Sequence, residues 1–271
     1  MKITGHLHKM HTKLESPVAY SLPLDDHLEP LNTHIGNRIS LRATGNIHCV
    51  ACGRKTNKSY SQGHCFPCMK SLPQCDMCIM KPETCHYEQG TCRDPAWGDE
   101  HCMQPHTVYL ANSSGIKVGI SRQVPTRWID QGASEALAIM QVSHRHLSGL
   151  VEVIFKNHVS DRTDWRKMLK GSPEEIDLVA RRDEIFAASA NELAELKTQY
   201  GSDAIHEITD SHTTKIDYPV NEYPSKVSSL NFDKTPHITG VLQGIKGQYL
   251  ILDCGVLNIR KFSGYEVEFE A

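Results

Sequence analysis

The chain has 271 residues, 39% hydrophobic and 23% charged, with a formal net charge of -3. That length allows one large domain or two to three small ones, and the composition is that of a folded globular protein. The charge excludes a polycation, so any nucleic-acid binding has to come from local patches.

The opening residues, Lys2-Ile3-Thr4-Gly5-His6, carry no apolar core of a secretory signal. No stretch approaches the roughly 18 apolar residues of a membrane helix. The expected location is therefore cytoplasmic, without a membrane partner. In a reducing compartment, cysteines serve as metal ligands more readily than as disulfides. Residues 1–44 read as short β-strands punctuated by Pro17, Pro23, Pro30 and the Ile35-Gly36-Asn37 step. A cysteine-rich module is expected over 45–105. Nine of the ten cysteines fall between Cys49 and Cys102; the tenth, Cys254, lies in an apolar run and is expected in the core.

Cys49-Val50-Ala51-Cys52 and Cys65-Phe66-Pro67-Cys68 form two C-x-x-C pairs separated by twelve residues. Each pair closes a tight knuckle, and together they supply a tetrahedral four-thiolate zinc site. Cys75, Cys78, Cys85 and Cys92 make a second set, which leaves Cys102 over. His64, His86, His101 and His106 are possible substitutes. Two structural zinc ions are expected; an iron–sulfur cluster is the alternative for the second set. From Arg38 to Gln74 there is no Asp or Glu, but six basic residues: Arg38, Arg42, Arg54, Lys55, Lys58 and Lys70. Arg42, Arg54, Lys55 and Lys58 are candidate contacts to a phosphate backbone. The plainer reading is that such charges offset the thiolates.

Further along, Val108–Ala111, the turn Asn112-Ser113-Ser114-Gly115 and Ile116–Ile120 predict a hairpin. A short helix is expected over Pro125–Gln131. Glu135–Val142 suits a strand, although its alanines also suit a helix. Leu147–Val159 has helical spacing. Ser172, Pro173 and Glu175 form a capping box for a helix that ends before Gly201. Residues 210–225 read as a linker, and 226–271 as a β-rich segment.

Tyr109 on the first strand, Lys117-Val118-Gly119-Ile120 on the second, then Arg127 and later Glu152 follow a fixed order. In that order they resemble the GIY-YIG endonuclease superfamily over roughly residues 106–170. The wider sequence, with Trp128-Ile129-Asp130-Gln131-Gly132 and Gly244-Ile245-Lys246-Gly247, resembles a bacterial domain-of-unknown-function family. The resemblance implies a small mixed sheet with flanking helices. It implies that Arg127 contacts phosphate, Glu152 holds Mg²⁺ or Mn²⁺, and Tyr109 positions or activates water. Lys117 stands where the second tyrosine is usual. Taken singly, Tyr109, Arg127 and Glu152 are ordinary packing or surface residues. His144-Arg145-His146, after the third strand, reads either as an approach to this site or, more plainly, as surface charge, and Trp165 as a packing residue or a stacking platform for a base.

The sequence thus predicts an α+β protein with zinc, an N-terminal β segment, a GIY-YIG-like core and a β-rich tail. Its function is a metal-dependent nuclease on DNA or RNA, a non-catalytic nucleic-acid binder, or a zinc-stabilised protein-interaction scaffold.

Overall fold

The computed structural model describes residues 2–160 and 162–271. Strands β1 (Lys2–His6), β2 (His11–Lys13), β3 (Ala19–Leu24), β4 (His27–Pro30) and β5 (Arg38–Ile47) come first. Short helices α1 (Phe66–Ser71), α2 (Met77–Met80) and α3 (Pro95–His101) follow through the cysteine-rich segment. Then come β6 (His106–Asn112), β7 (Ile116–Ser121), α4 (Thr126–Asp130), β8 (Glu135–Val142) and α5 (Arg145–Phe155). Helices α6 (Trp165–Met168), α7 (Leu178–Ala188) and α8 (Ala190–Tyr200) precede β9 (Ile205–Glu207) and β10 (Thr214–Lys215). The chain closes with β11 (His237–Lys246), β12 (Tyr249–Leu252), β13 (Gly255–Asn258) and β14 (Tyr265–Glu270). The class is α+β, and among the described residues no helix is long and apolar enough to cross a membrane.

The first and last β segments pack together. One sheet runs β1-β14-β5-β11-β12-β13, with Ile3 opposite Phe269 and Ile39 opposite Gly240. The central sheet runs β10-β8-β6-β7, with β9 on β8, and its named strands pair antiparallel rather than mixed. Alternation gives this sheet two apolar faces. Val108, Leu110 and Val118 pack with Leu147, Val151 and Phe155 of α5. Tyr109 and Ala111 pack instead with Trp128 and Ile129 of α4, in a core that continues to Leu22, Phe262 and Phe269. The central sheet is thereby fixed against the terminal β body.

The helix expected from Ser172 begins later. Asp177 is the cap, accepting hydrogen bonds from the amides of Val179 and Ala180. Glu175 is drawn away by Lys215 at 2.7 Å, and the Ile176 amide donates to Glu135, so 172–176 runs as a strap along the sheet. The helix also divides at Ser189 into α7 and α8. The expected linker contains strand β10 and the buried Tyr218, whose hydroxyl donates to the Ala133 carbonyl at 2.9 Å. Cys254 is exposed rather than in the core, because it sits in the turn between β12 and β13. Trp165 stacks on Tyr249 with ring centroids 5.7 Å apart, which is its packing role.

Candidate functional site

The Cys49, Cys52, Cys65 and Cys68 sulfurs all lie within 4.8 Å of one another. The Cys52 and Cys65 sulfurs are 3.8 Å apart. A tetrahedral ion with zinc–sulfur bonds of about 2.3 Å sets its thiolates about 3.8 Å apart, so the quartet suits a structural zinc. Local backbone builds it. The Gly53 amide donates to the Cys49 carbonyl at 2.9 Å and the Val50 amide to Gly63, which closes the first knuckle. Cys65 precedes α1, which carries Cys68. Burial opposes ionisation of Cys49. The amides of Cys65, Ala51 and Cys52 outweigh it and hold the thiol down to about 6. Hydrogen bonds to Cys52 and Cys65 push Cys68 up to about 12.

The later cysteines divide differently from the expected set. Cys78 on α2, Cys85, Cys92 and Cys102 line one void of about 20 Å³, walled by Ile79, Tyr87 and Trp97. Burial, then Asp76, then the thiols of Cys85, Cys102 and Cys92 push Cys78 up to about 11. Cys75 does not line this void. Its thiol is raised by burial, and Ser61, Arg93 and Cys49 are its polar neighbours. Of the histidines considered as substitute ligands, His86 lies with Asp76 and Cys78. His101 bonds the Trp97 carbonyl. His106 is buried, and that burial lowers it to about 4.

A larger cleft, about 440 Å³, opens beside the edge strand β7. It brings together Tyr109, Lys117, Arg127 and Glu152, which come from β6, β7, α4 and α5. Tyr109 and Gly119 are opposite one another in the β6–β7 ladder, as are Ala111 and Lys117, so Tyr109, Gly119 and Lys117 share a face. Tyr109 has no exposed surface and lies at the cleft floor. Gln131, just past α4, donates to its oxygen at 2.6 Å. Burial raises its pKa, against the pull of Arg127 and Gln131; Glu152 adds to the rise. Glu152 also meets Lys156 one turn on, at 3.7 Å. Its carboxylate is the hard oxygen donor that a small divalent cation favours.

Three further cations line the cleft: Arg122, Arg145 and Arg260. Arg122 donates to the Glu100 carbonyl at 2.6 Å, and Arg145 to Ile79 at 2.7 Å. Both acceptors are neutral, so they orient the guanidinium without cancelling its charge. Arg145 is therefore not surface charge: burial lowers its pKa, and it forms part of the cleft wall. His144 caps α5 by accepting from the Leu147 amide, which sets the start of the helix at Arg145. Arg122 follows β7, Arg145 opens α5 and Arg260 lies in the Ile259–Phe262 turn, so no stretch of sequence groups them. Of the three, Arg145 alone has a sequence signal, the His144-Arg145-His146 cluster. Arg42, Arg54, Lys55 and Lys58 are exposed and lie outside the cleft. Arg42 is 4.0 Å from Glu268 and Lys55 donates to Asn46 at 2.8 Å.

Fold and site together define an α+β protein that carries a four-thiolate metal-binding cluster and a basic cleft. The chain belongs to the family described as "Protein of unknown function (DUF2797)", which matches residues 36–267. No curated protein and no solved structure matches it.

Proposed function

We propose that the cleft seats a phosphodiester of nucleic acid, and that the protein is a divalent-metal-dependent nuclease of GIY-YIG-like type. The observation that carries this reading is the charge of the cleft. Lys117, Arg122, Arg127, Arg145 and Arg260 line it, and Glu152 is the one carboxylate among the described residues that does. Cations gathered in a concave site with low-dielectric walls focus a field that attracts anions. Planar guanidinium groups match the paired oxygens of a phosphate. A lone carboxylate amid five cations suits a metal that rests partly on the ligand's own oxygens and retains water.

In this reading Arg127 neutralises charge gathering on the phosphoryl oxygens. Glu152 would hold Mg²⁺ or Mn²⁺, and such an ion would supply Lewis-acid stabilisation of the leaving oxygen and a more acidic water. Lys117 replaces the second tyrosine as a phosphate contact. Tyr109 orients the site from its floor. The exposed Arg42, Arg54, Lys55 and Lys58 extend contact along a longer backbone. Arg42 stands on β5, and zinc on the first quartet would hold the loop of Arg54, Lys55 and Lys58 in shape.

A second reading, binding without cleavage, is favoured by the complete burial of Tyr109, which keeps its phenol from acting as a base. One experiment separates the two. Binding and cleavage are measured on duplex, branched and single-stranded DNA and RNA with Mg²⁺ or Mn²⁺, for the wild type, Arg127→Ala and Glu152→Ala. Cleavage by the wild type that falls about 100-fold or more in each variant supports the nuclease. Binding weakened by Arg127→Ala, with no cleavage by any protein, selects the second reading. Equal behaviour of all three proteins overturns both. Absence of salt-dependent binding points to a protein-interaction scaffold.

A further inference from the structure

We propose that the cleft takes an unpaired nucleobase of a single strand, stacked against a surface formed by Trp97, His101 and Met80. This names the substrate class of the site and rests on the reading of the cleft as a phosphodiester site.

The cleft is lined by two unlike sets of residues. Its five cations all come from outside the cysteine-rich segment. That segment lines the cleft with Ile79, Met80, Pro82, Trp97 and His101, and brings to it no Lys, Arg, Asp or Glu. Phosphate is drawn to the first set. The second offers apolar and aromatic surface, which suits the flat face of a base. A cleft of about 440 Å³ falls within the roughly 300–1,000 Å³ of pockets for small organic ligands, so one nucleotide fits it.

Helix α3 places the rings. Asp94 caps it, accepting from the Trp97 amide at 3.0 Å. Trp97 and His101 stand one turn apart on the same helical face. His101 Nδ1 bonds the Trp97 carbonyl at 3.0 Å, and the two rings stack with centroids 4.2 Å apart and planes within 6° of parallel. A base laid on this pile meets rings already held in place, so little side-chain freedom is lost on binding. Met80 ends α2 and is 79% exposed; its thioether adapts to aromatic partners. Trp97 also walls the void beside Cys78, Cys85, Cys92 and Cys102, so packing explains its place. His101 and Met80 line the cleft and not that void.

Two arginines join the sets. Arg122 donates to the carbonyl of Glu100, next to His101, and Arg145 to that of Ile79, next to Met80. Groups that attract phosphate are thus bonded to the backbone that carries the stacking surface, and one nucleotide can engage both. In a duplex the bases are paired and stacked on their neighbours. Only an unpaired base has a face to lay on these rings.

The test uses the full chain without added Mg²⁺ or Mn²⁺, and fluorescence anisotropy with labelled probes: a DNA strand, an RNA strand of the same sequence, an abasic strand of the same length, and the DNA duplex. The wild type is expected to bind the DNA or the RNA strand about 10-fold or more tighter than the abasic strand. Trp97→Ala and His101→Ala lose most of that preference and keep the wild-type affinity for the abasic strand, which shows that the cations are still in place. The duplex binds the wild type and His101→Ala alike. If Trp97→Ala weakens abasic binding as well, His101→Ala and Met80→Ala decide. Salt-dependent binding of all probes with no preference for bases overturns this inference and leaves the phosphodiester reading standing. So does a preference that survives in both His101→Ala and Met80→Ala, or an equal loss on strand and duplex in His101→Ala. Absence of salt-dependent binding to every probe overturns the phosphodiester reading and this inference with it.

Discussion

Tyr109 and Gly119 face one another across β6 and β7, and a methyl group at position 119 would stand 2.5 Å from the Tyr109 oxygen. Tyr109 has no room to retreat, with Trp128 edge-on to its ring at 6.0 Å and Gln131 bonded to its hydroxyl. Gly119→Ala therefore overpacks the floor of the cleft and is expected to cost about 1–3 kcal/mol. Denaturant unfolding of Gly119→Ala, Tyr109→Ala and the double variant checks the cause. Removing the ring first makes the alanine at 119 nearly neutral. Additive costs would show that the strain at 119 lies elsewhere.

Residues that act through local spacing were legible in the sequence. The C-x-x-C pairs at Cys49 and Cys65 bring their sulfurs within 4.8 Å because each knuckle closes over a few bonds. Tyr109, Lys117, Arg127 and Glu152 were found by their order, and the structure brings them to one cleft. Arg145 has a sequence signal in the His144-Arg145-His146 cluster, whereas Arg122, Arg260 and Gln131 have none for that cleft. No local pattern marks a side chain that reaches a site only through tertiary packing. In the sequence Cys75, Cys78, Cys85 and Cys92 complete a set of four and leave Cys102 over; α3 lies in the interval between Cys92 and Cys102 and returns Cys102 to the side of Cys78, Cys85 and Cys92. Ser172 looked like a better cap than Asp177 because Glu175 completed a capping box. The competing partners of that segment, Lys215 and Glu135, are distant in sequence.

Lys246 has no exposed surface, and its ammonium group donates to the Gly171 carbonyl at 3.0 Å near the Tyr218 and Tyr223 rings. Burial lowers its pKa to about 8 from an ordinary 10.5. Between those values the unfolded chain binds more protons than the folded one, so stability rises as pH climbs from 8 to 10.5. At about 1.4 kcal/mol per pH unit, the gain across the window is about 2–3 kcal/mol. Urea unfolding of the wild type and Lys246→Met at pH 7, 8, 9 and 10 tests this. The difference between them should shift steadily toward the wild type as pH rises. A constant difference would mean that the lysine stays charged throughout.

Gly149 lets α5 lie directly on the Pro82–Thr84 turn of the cysteine-rich segment. A methyl group at 149 would stand 2.5 Å from the Glu83 nitrogen, a backbone atom that moves only with the whole turn. Gly149→Ala is expected to destabilise that docking by about 1–3 kcal/mol, despite the better helix propensity of alanine. The loosened segment should become more sensitive to limited proteolysis over residues 75–102. The central hairpin at 106–121 should keep its protection in hydrogen exchange. Equal protection of both regions in the variant would place the two elements farther apart than this contact requires.

Arg145 connects the two centres. Its guanidinium lines the basic cleft, its amide holds the Cys102 carbonyl, and its charge lies near Cys102 and Cys78. If the cleft takes a phosphodiester, Arg145→Ala removes one phosphate contact and Arg145→Lys keeps the charge without the planar fork. The plot of log affinity against log salt should become shallower by about one unit for alanine and stay unchanged for lysine. Fluorescence anisotropy with a labelled DNA duplex over about 50–200 mM salt gives both slopes. Unchanged slopes in both variants would assign Arg145 to holding the cysteine-rich segment alone. A shallower slope in both would mean that the position of the fork, rather than the charge, carries the contact.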